Sequence, residues 1–264
     1  MRDSGVAAVG AGVTQVRPGD LVVNMQRENW VQRRRIRSED AIPVPAGLDL
    51  AQAAMLRINP ATALLLLEDH VDLKPGDWVI QDVANSAVGR HLIVLAKARG
   101  VKTLNVVRRN DVVAELRDLG ADVVLQDGAD LAERARAATG GAPIRLGIDA
   151  VSGEACRRIA DCVTDGGVVV SYGSMSGEDP EIGRAALNMR GVSLTGFNLG
   201  RGLAKRTPEK VREIYADLAG KIRDGVLKAP VDSHYLIEDI KPALVRAQQG
   251  GRNGKVLVLP NGPI

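Results

Sequence analysis

Between residues 73 and 197, short β-branched runs alternate with helix-patterned stretches, and no other feature of the sequence narrows the possible folds as far. The turn KPGD leads into an apolar strand at residues 78–83, followed by a helix at 88–99 that Gly100 ends. A second strand, KTLNVV, runs to Val107, and the helix expected at 111–119 stops at Gly120. The strand ADVVLQ, a helix at 130–138, the strand IRLGIDAV and a helix at 154–162 follow; GGVVVSYG and VSLTGF complete the series. Apolar runs this short, bounded by turn residues, read as strands buried on both faces, which requires a parallel sheet covered by helices on each side. Six such strands over about 120 residues predict an α/β fold with a doubly wound parallel Rossmann sheet.

The flanks read differently. Residues 1–57 are expected to be β-rich, with apolar segments at 5–9 and 20–23 separated by turns. A Pro/Gly-marked connection, IPVPAGL at 42–48, then leads to a short helix at 50–56. Asn59 and Pro60 open an apolar helix, ATALLLLEDH, proline being well suited to a helix start. Beyond Phe197 we expect an amphipathic helix at 208–224, another within HYLIEDIKPALVRAQQG, and a closing strand, GKVLVL, at 254–259. The chain is thus divided into residues 1–57, a nucleotide-binding domain at 58–200, and a C-terminal segment at 201–264.

Composition removes several function classes. Only 2% of residues are aromatic, so Val, Leu, Ile and Ala must fill the core. The net charge of +3 is concentrated nowhere more than in QRRRIR at 32–37, which has no interleaved aromatics to stack on bases and reads as a solvated basic face, not a nucleic-acid surface. No apolar run reaches the roughly 18–20 residues of a membrane span. The opening MRDSGVAAVG lacks the apolar or Arg-rich character of a targeting segment, so a cytoplasmic location is the expectation. Cys156 and Cys162 are the only cysteines, and His70, His91 and His234 are scattered, so no metal site is expected.

Two segments carry chemistry. The first strand-to-helix turn, VANSAVGR at 83–90, lies where a nucleotide pyrophosphate meets a helix N-terminus. Of the usual glycines only Gly89 remains, with Ala84, Ser86 and Ala87 as small substitutes, so the segment also fits an ordinary capped turn. At the end of the second strand, where an NAD-binding fold places a ribose-binding carboxylate, this chain has Arg108 and Arg109. Guanidinium groups match a 2′-phosphate in charge and fork geometry, although a solvated Arg pair is the alternative. Turn and Arg pair together favour NADPH over NADH.

INPATALLLL (58–67), KPGDWVIQDVANSAVGR, KTLNVVRR, VSYGSM and the late GKVLV occur in the order and spacing of the 2-enoyl thioester reductases, and the chain resembles this zinc-free branch of the medium-chain dehydrogenase/reductase superfamily from Gly5 onward. The resemblance implies that Asn59 sits on the nicotinamide side, that Asn85, Ser86, Ala87 and Val88 form the pyrophosphate turn, and that Arg108, Arg109 and Asn110 grip the adenosine phosphate. It further implies cofactor contacts from Tyr172, Gly173, Ser174 and Met175, from Phe197, Asn198 and Leu199, and from Lys255. Asn198 departs from the family pattern, which often has Trp there.

By the same resemblance, residues 1–57 are a partial GroES-like catalytic domain to which 201–264 returns. The family's proton-donating Tyr is expected ahead of Met1, and Tyr172, Tyr215 and Tyr235 sit in other contexts. The expectation is therefore an incomplete β-rich domain and an NADPH-dependent reductase of enoyl-CoA or enoyl-ACP double bonds, weakly active or inactive as the chain stands. A quinone or enone reductase on the same framework and a non-catalytic NADPH-binding protein are the alternatives. The resemblance also implies a homodimer formed through the VSLTGF edge.

Overall fold

In the computed structural model, residues 5–27 and 29–263 are described here. The chain divides into two compact units: Thr62–Lys205, and the residues up to Ala61 together with those from Arg206 onward.

The Thr62–Lys205 unit is built on six parallel strands: β3 (Trp78–Gln81), β4 (Lys102–Val107), β5 (Val123–Gln126), β6 (Ile144–Asp149), β7 (Val168–Ser171) and β8 (Ser193–Gly196). Their spatial order is β5-β4-β3-β6-β7-β8. The first strand of the series therefore lies at the centre, and the winding reverses between β3 and β6. Brackets of helix join them: α3 (Ala87–Ala98), α4 (Val113–Asp118), α5 (Leu131–Ala138) and α6 (Gly153–Cys162). Side-chain alternation divides the sheet's two faces. Trp78, Ile80, Leu104 and Val106 pack with Leu131, Cys156 and Ile159 of α5 and α6. On the other face Ile93, Val107, Leu116 and Val124 form a second cluster with α3 and α4. Burying each of these Leu or Ile side chains is worth about 1.5–3 kcal/mol. Polar side chains on the α3 face bond to one another: Gln81 Nε2 donates to the Gly89 carbonyl (3.0 Å) and to Asn105 Oδ1 (2.8 Å), and Asn105 Nδ2 donates to Thr103 Oγ1 (2.9 Å).

The other unit contains β1 (Val22–Asn24), antiparallel to β2 (Ala41–Pro43), then α1 (Leu50–Leu56) and the first residues of α2 (Asn59–Glu68). The sixteen-residue α8 (Pro208–Arg223) starts at the Thr207 cap with Pro at its first position, as its sequence requires, and buries Ile214, Tyr215, Leu218 and Ile222. Gln52 of α1 forms a reciprocal pair with the Ala229 backbone, donating at 2.9 Å and accepting at 3.0 Å. β9 (Val231–Leu236) and β10 (Lys255–Leu259) lie parallel, joined by α9 (Ile240–Gln248), and a forked Asp232–Arg246 pair at 2.6 and 2.8 Å ties α9 to β9.

Several expectations are corrected. Residues 5–9 form no strand; Val6 makes one pair of backbone bonds, with Gly19 and Asp20, and the glycine-rich turn beyond breaks the ladder. The 42–48 connection begins inside a strand, because Ala41 and Ile42 are buried and Pro43 occupies a strand end where no donor is needed. The helix expected at 111–119 starts as a 3-10 turn at Asn110–Val112. β9, the π-helical turn Ala185–Met189 and the short α7 (Leu199–Ala204) were not expected.

Candidate functional site

The reversal between β3 and β6 splays the connections leaving their carboxyl ends, opening the crevice where ligands bind in sheets of this kind. On the β3 side, residues 83–86 fold into a tight turn in which Ser86 N donates to the Val83 carbonyl at 2.8 Å. Ser86 caps α3, its Oγ accepting from Gly89 N at 3.1 Å. As in any α-helix, the Ala87 and Val88 amides have no intrahelical acceptor, so they are the groups that can meet an anion. Gly89 is obligatory here: a Cβ would lie 2.5 Å from the Ala84 carbonyl oxygen and 2.7 Å from its Cα. The turn fits a pyrophosphate despite its missing glycines, because the one close approach that demands glycine has it.

Just behind the turn, Arg90 is buried, with Nε donating to the Asn85 carbonyl at 3.0 Å and an ion pair to Glu115 at 2.6 Å. Its guanidinium holds the Glu115 carboxyl below the usual range. Arg90 therefore fixes the turn from within.

Across the crevice, β6 ends in Asp149, which is fully buried. Asp149 Oδ1 accepts from Val151 N (3.2 Å) and Ser152 N (2.9 Å), and Oδ2 accepts from Ser171 Oγ (2.7 Å). Asp82, following β3, is also buried; its Oδ1 accepts from Ala150 N at 2.8 Å. Burial, first, and the neighbouring Asp149 charge, second, push the Asp82 pKa well above the usual carboxylate value. Ser152 Oγ donates to the Gly173 carbonyl at 3.0 Å, and a Cβ on Gly173 would stand 2.8 Å from the Ala150 carbonyl oxygen. The β7 exit thus lies close against the β6 exit. Val83 (φ 44°) and Ser152 (φ 72°) are the two non-glycine residues at positive φ among the described residues, one on each wall. Such strain collects at functional sites.

The structure gathers most of the sequence-nominated residues on one sheet edge. Asn85, Ser86, Ala87 and Val88 form the β3 turn and the start of α3. Tyr172 follows β7, and burial pushes its pKa up. Gly173, Ser174 and Met175 continue this wall; Met175 is largely exposed, and an open depression of about 440 Å³ beside it is lined by residues including Tyr172, Gly173 and Thr195. Arg108, Arg109 and Asn110 are exposed immediately beyond β4, the strand next to β3. Arg109 leans on Asp111 at 3.4 Å, whereas Arg108 forms no ion pair among the described residues. Asn110 and the Arg108 carbonyl are held by Gln126.

Phe197, Asn198 and Leu199 leave β8 on the same edge but three strands from β3. Asn198 has a structural task of its own, since its Oδ1 caps α7 by accepting from Arg201 N at 3.0 Å, a bond Trp could not make. Phe197 meets His70 edge-on, with ring centroids 6.1 Å apart. Asn59 is buried as the first residue of α2, and Lys255 opens β10; both belong to the other unit. Sequence reading missed Asp82, Asp149, Ser152 and Ser171, whose convergence depends on strand order. Among the described residues no three His, Cys, Asp or Glu side chains converge as metal ligands.

Residues 87–218 match the zinc-binding dehydrogenase domain family. The chain is 35% identical to the mitochondrial enoyl-acyl-carrier-protein reductase of Caenorhabditis elegans over 246 residues, covering 90% of this chain and 70% of that relative. Its fold matches the mitochondrial 2-enoyl thioester reductase Etr1p/Etr2p heterodimer of Candida tropicalis with a TM-score of 0.82 at 24% identity, covering 95% of this chain and 76% of that one. It also matches a protein described as an NADPH:quinone reductase from Bacillus thuringiensis, with a TM-score of 0.78 at 25% identity, covering 84% and 67%.

Proposed function

The chain belongs to the enoyl reductases of the medium-chain dehydrogenase/reductase superfamily, and from that membership we propose that it binds NADPH and serves the reduction of the α,β double bond of 2-enoyl thioesters. The observation that carries the cofactor choice is the exposed Arg108–Arg109 pair one strand from the pyrophosphate turn, with the Arg108 guanidinium in no ion pair among the described residues. A 2′-phosphate beside these groups gains charge-assisted hydrogen bonds that NADH lacks. When bound, NADPH supplies a hydride to the substrate's β-carbon.

The chain's own residues position and enclose. Ala87 and Val88 offer their amides to the pyrophosphate, Ser86 and Arg90 hold that turn in shape, and the 172–175 wall closes the crevice on the β7 side. Neither Tyr172 nor Tyr215 is assigned as the proton donor. Burial pushes the Tyr172 phenol pKa well up, and the fully buried Tyr215 donates to the Arg57 carbonyl at 2.8 Å. We also propose that no zinc takes part and that two copies associate through β8, whose outer edge is unpaired among the described residues.

The test is equilibrium binding of NADPH and NADH to the wild type, Arg108→Ala and Arg109→Ala. The expected outcome is a preference for NADPH of at least about tenfold that Arg108→Ala removes; equal affinities in the wild type would sink the proposal. Because the quinone reductase shares the fold, NADPH oxidation should also be followed with a 2-enoyl-CoA ester and with a small quinone. Faster turnover of the quinone would favour the second reading.

A further inference from the structure

Parallel register aligns Gln81 of β3 with Ile148 of β6, so the next residues, Asp82 and Asp149, emerge side by side at the point where the sheet's winding reverses. Both carboxyl groups are buried and reach the same turn, Asp82 Oδ1 accepting from Ala150 N and Asp149 Oδ1 from Val151 N and Ser152 N. A count of donors distinguishes them. Asp149 receives three, from two backbone amides and the Ser171 hydroxyl. Asp82 Oδ1 accepts from Ala150 N at 2.8 Å, and its Oδ2 is buried with no partner among the described residues. Two neighbouring carboxylates without a proton would repel, and a buried acceptor without a donor is costly. One proton on Asp82 Oδ2, donated to Asp149, removes both difficulties.

We propose that Asp82 and Asp149 are positioning residues that share a single proton and thereby clamp together the two backbone walls of the nucleotide crevice. Each acid is bonded to the wall it does not belong to or to the strand beyond it. Asp82 reaches Ala150, and Asp149 reaches Ser171 and, through Ser152, the Gly173 carbonyl. The strained Val83 and Ser152 follow the pair on the two walls, so the clamp helps hold both outliers in place. The raised Asp82 pKa agrees with this protonation. The other titratable and charged groups acting on the pair are Tyr172 from the β7 exit and Cys156 and Arg158 from α6. Burial and the two acids keep Cys156 and Tyr172 neutral, with Cys156 raised to about 12. Arg158 is committed to a forked pair with Asp127 at 2.6 and 2.8 Å. None of them can supply a replacement proton at neutral pH.

The effect on cofactor affinity rests on the reading of the crevice as an NADPH site, whereas the shared proton does not. Two measurements keep them apart. In wild-type protein carrying 13C-labelled Asp carboxyl carbons, one side-chain resonance is expected at the protonated-carboxyl position at pH 7 and absent in Asp82→Asn. If every Asp resonance is that of an ionised carboxylate at pH 7, the proposal is overturned whatever the protein binds. NADPH affinity is then measured against pH. In the wild type it is expected to fall about tenfold per pH unit once the shared proton is lost. Asp82→Asn keeps a neutral donor to Asp149 and an acceptor for Ala150, so it should bind within about threefold of wild type at pH 7 with no such alkaline fall. Identical pH profiles in the two proteins would overturn the clamp's role in the crevice. A labile carboxyl proton in a protein that binds no NADPH at any pH would instead remove the function reading and leave the pair intact.

Discussion

His91 is a basic side chain with almost no exposure, set in α3 next to the equally buried Arg90. Burial, first, and the Arg90 charge, second, lower its pKa from 6.5 to about 4, so the folded protein carries it neutral. The unfolded chain binds a proton near pH 6.5 that the folded chain refuses until about pH 4. Stability from this residue is therefore complete above pH 6.5 and is lost progressively as pH falls toward 4, by about 3 kcal/mol. Urea melts across that range should show the slope in the wild type and not in His91→Leu; equal slopes would refute the assignment. At the same scale, what could be read in advance depended on whether chemistry was local. NVVRR announces an Arg pair because its neighbours already define a strand end. Asp82 and Ala150 are 68 residues apart in sequence, and no local pattern says that they meet.

Where α3 seats against the β3 turn, backbone lies on backbone, and neither side has a flexible end that could yield. Gly89→Ala is expected to destabilise by about 1–3 kcal/mol and to weaken NADPH binding, because the helix must lift away from Ala84. Thermal melts and calorimetry check both effects, and an unchanged melting temperature would show that the turn is looser than described. Among the elements, those buried on both faces were legible: β3, β4, β6 and β7 are short, largely buried runs rich in Val, Ile and Leu between turn residues. β9 was not, because VDSHYL is half exposed and carries Asp, Ser and His. α7 begins LGRG, whose two glycines mask its helical character until the Asn198 cap is seen. Residues 5–9 failed in the opposite sense: an apolar run whose backbone pairing with Gly19 and Asp20 stops at Val6 does not become a strand.

At the scale of the whole molecule, β8 leaves one side of the six-stranded sheet unpaired among the described residues. Ser193 and Phe197 donate their amides toward β7, so by alternation the Leu194 and Gly196 amides point outward, available to another copy. Gly196→Pro removes one outward donor without touching the bonds to β7. Sedimentation should show a dimer for the wild type and a monomer for the variant, with unchanged circular dichroism; a wild-type monomer would remove the β8 association. The nucleotide-binding half was legible as a whole because its strands and helices succeed one another within one continuous segment. The other unit is assembled from segments far apart in the chain, as the Gln52–Ala229 pair across 177 residues illustrates; no local pattern pairs them, and only the resemblance joined 1–57 to 201–264. That connectivity dictates a schedule. During synthesis the six-stranded sheet can close as soon as β8 clears the ribosome. α1, already made, must wait for the segment around Ala229, about 9–35 s later at about 5–20 residues per second. For that interval Met55 and Leu56, buried in the finished protein, lack the part of their native cover that α8 supplies, so chaperone binding during translation should fall on this early helix and cease once α8 and the segment around Ala229 emerge.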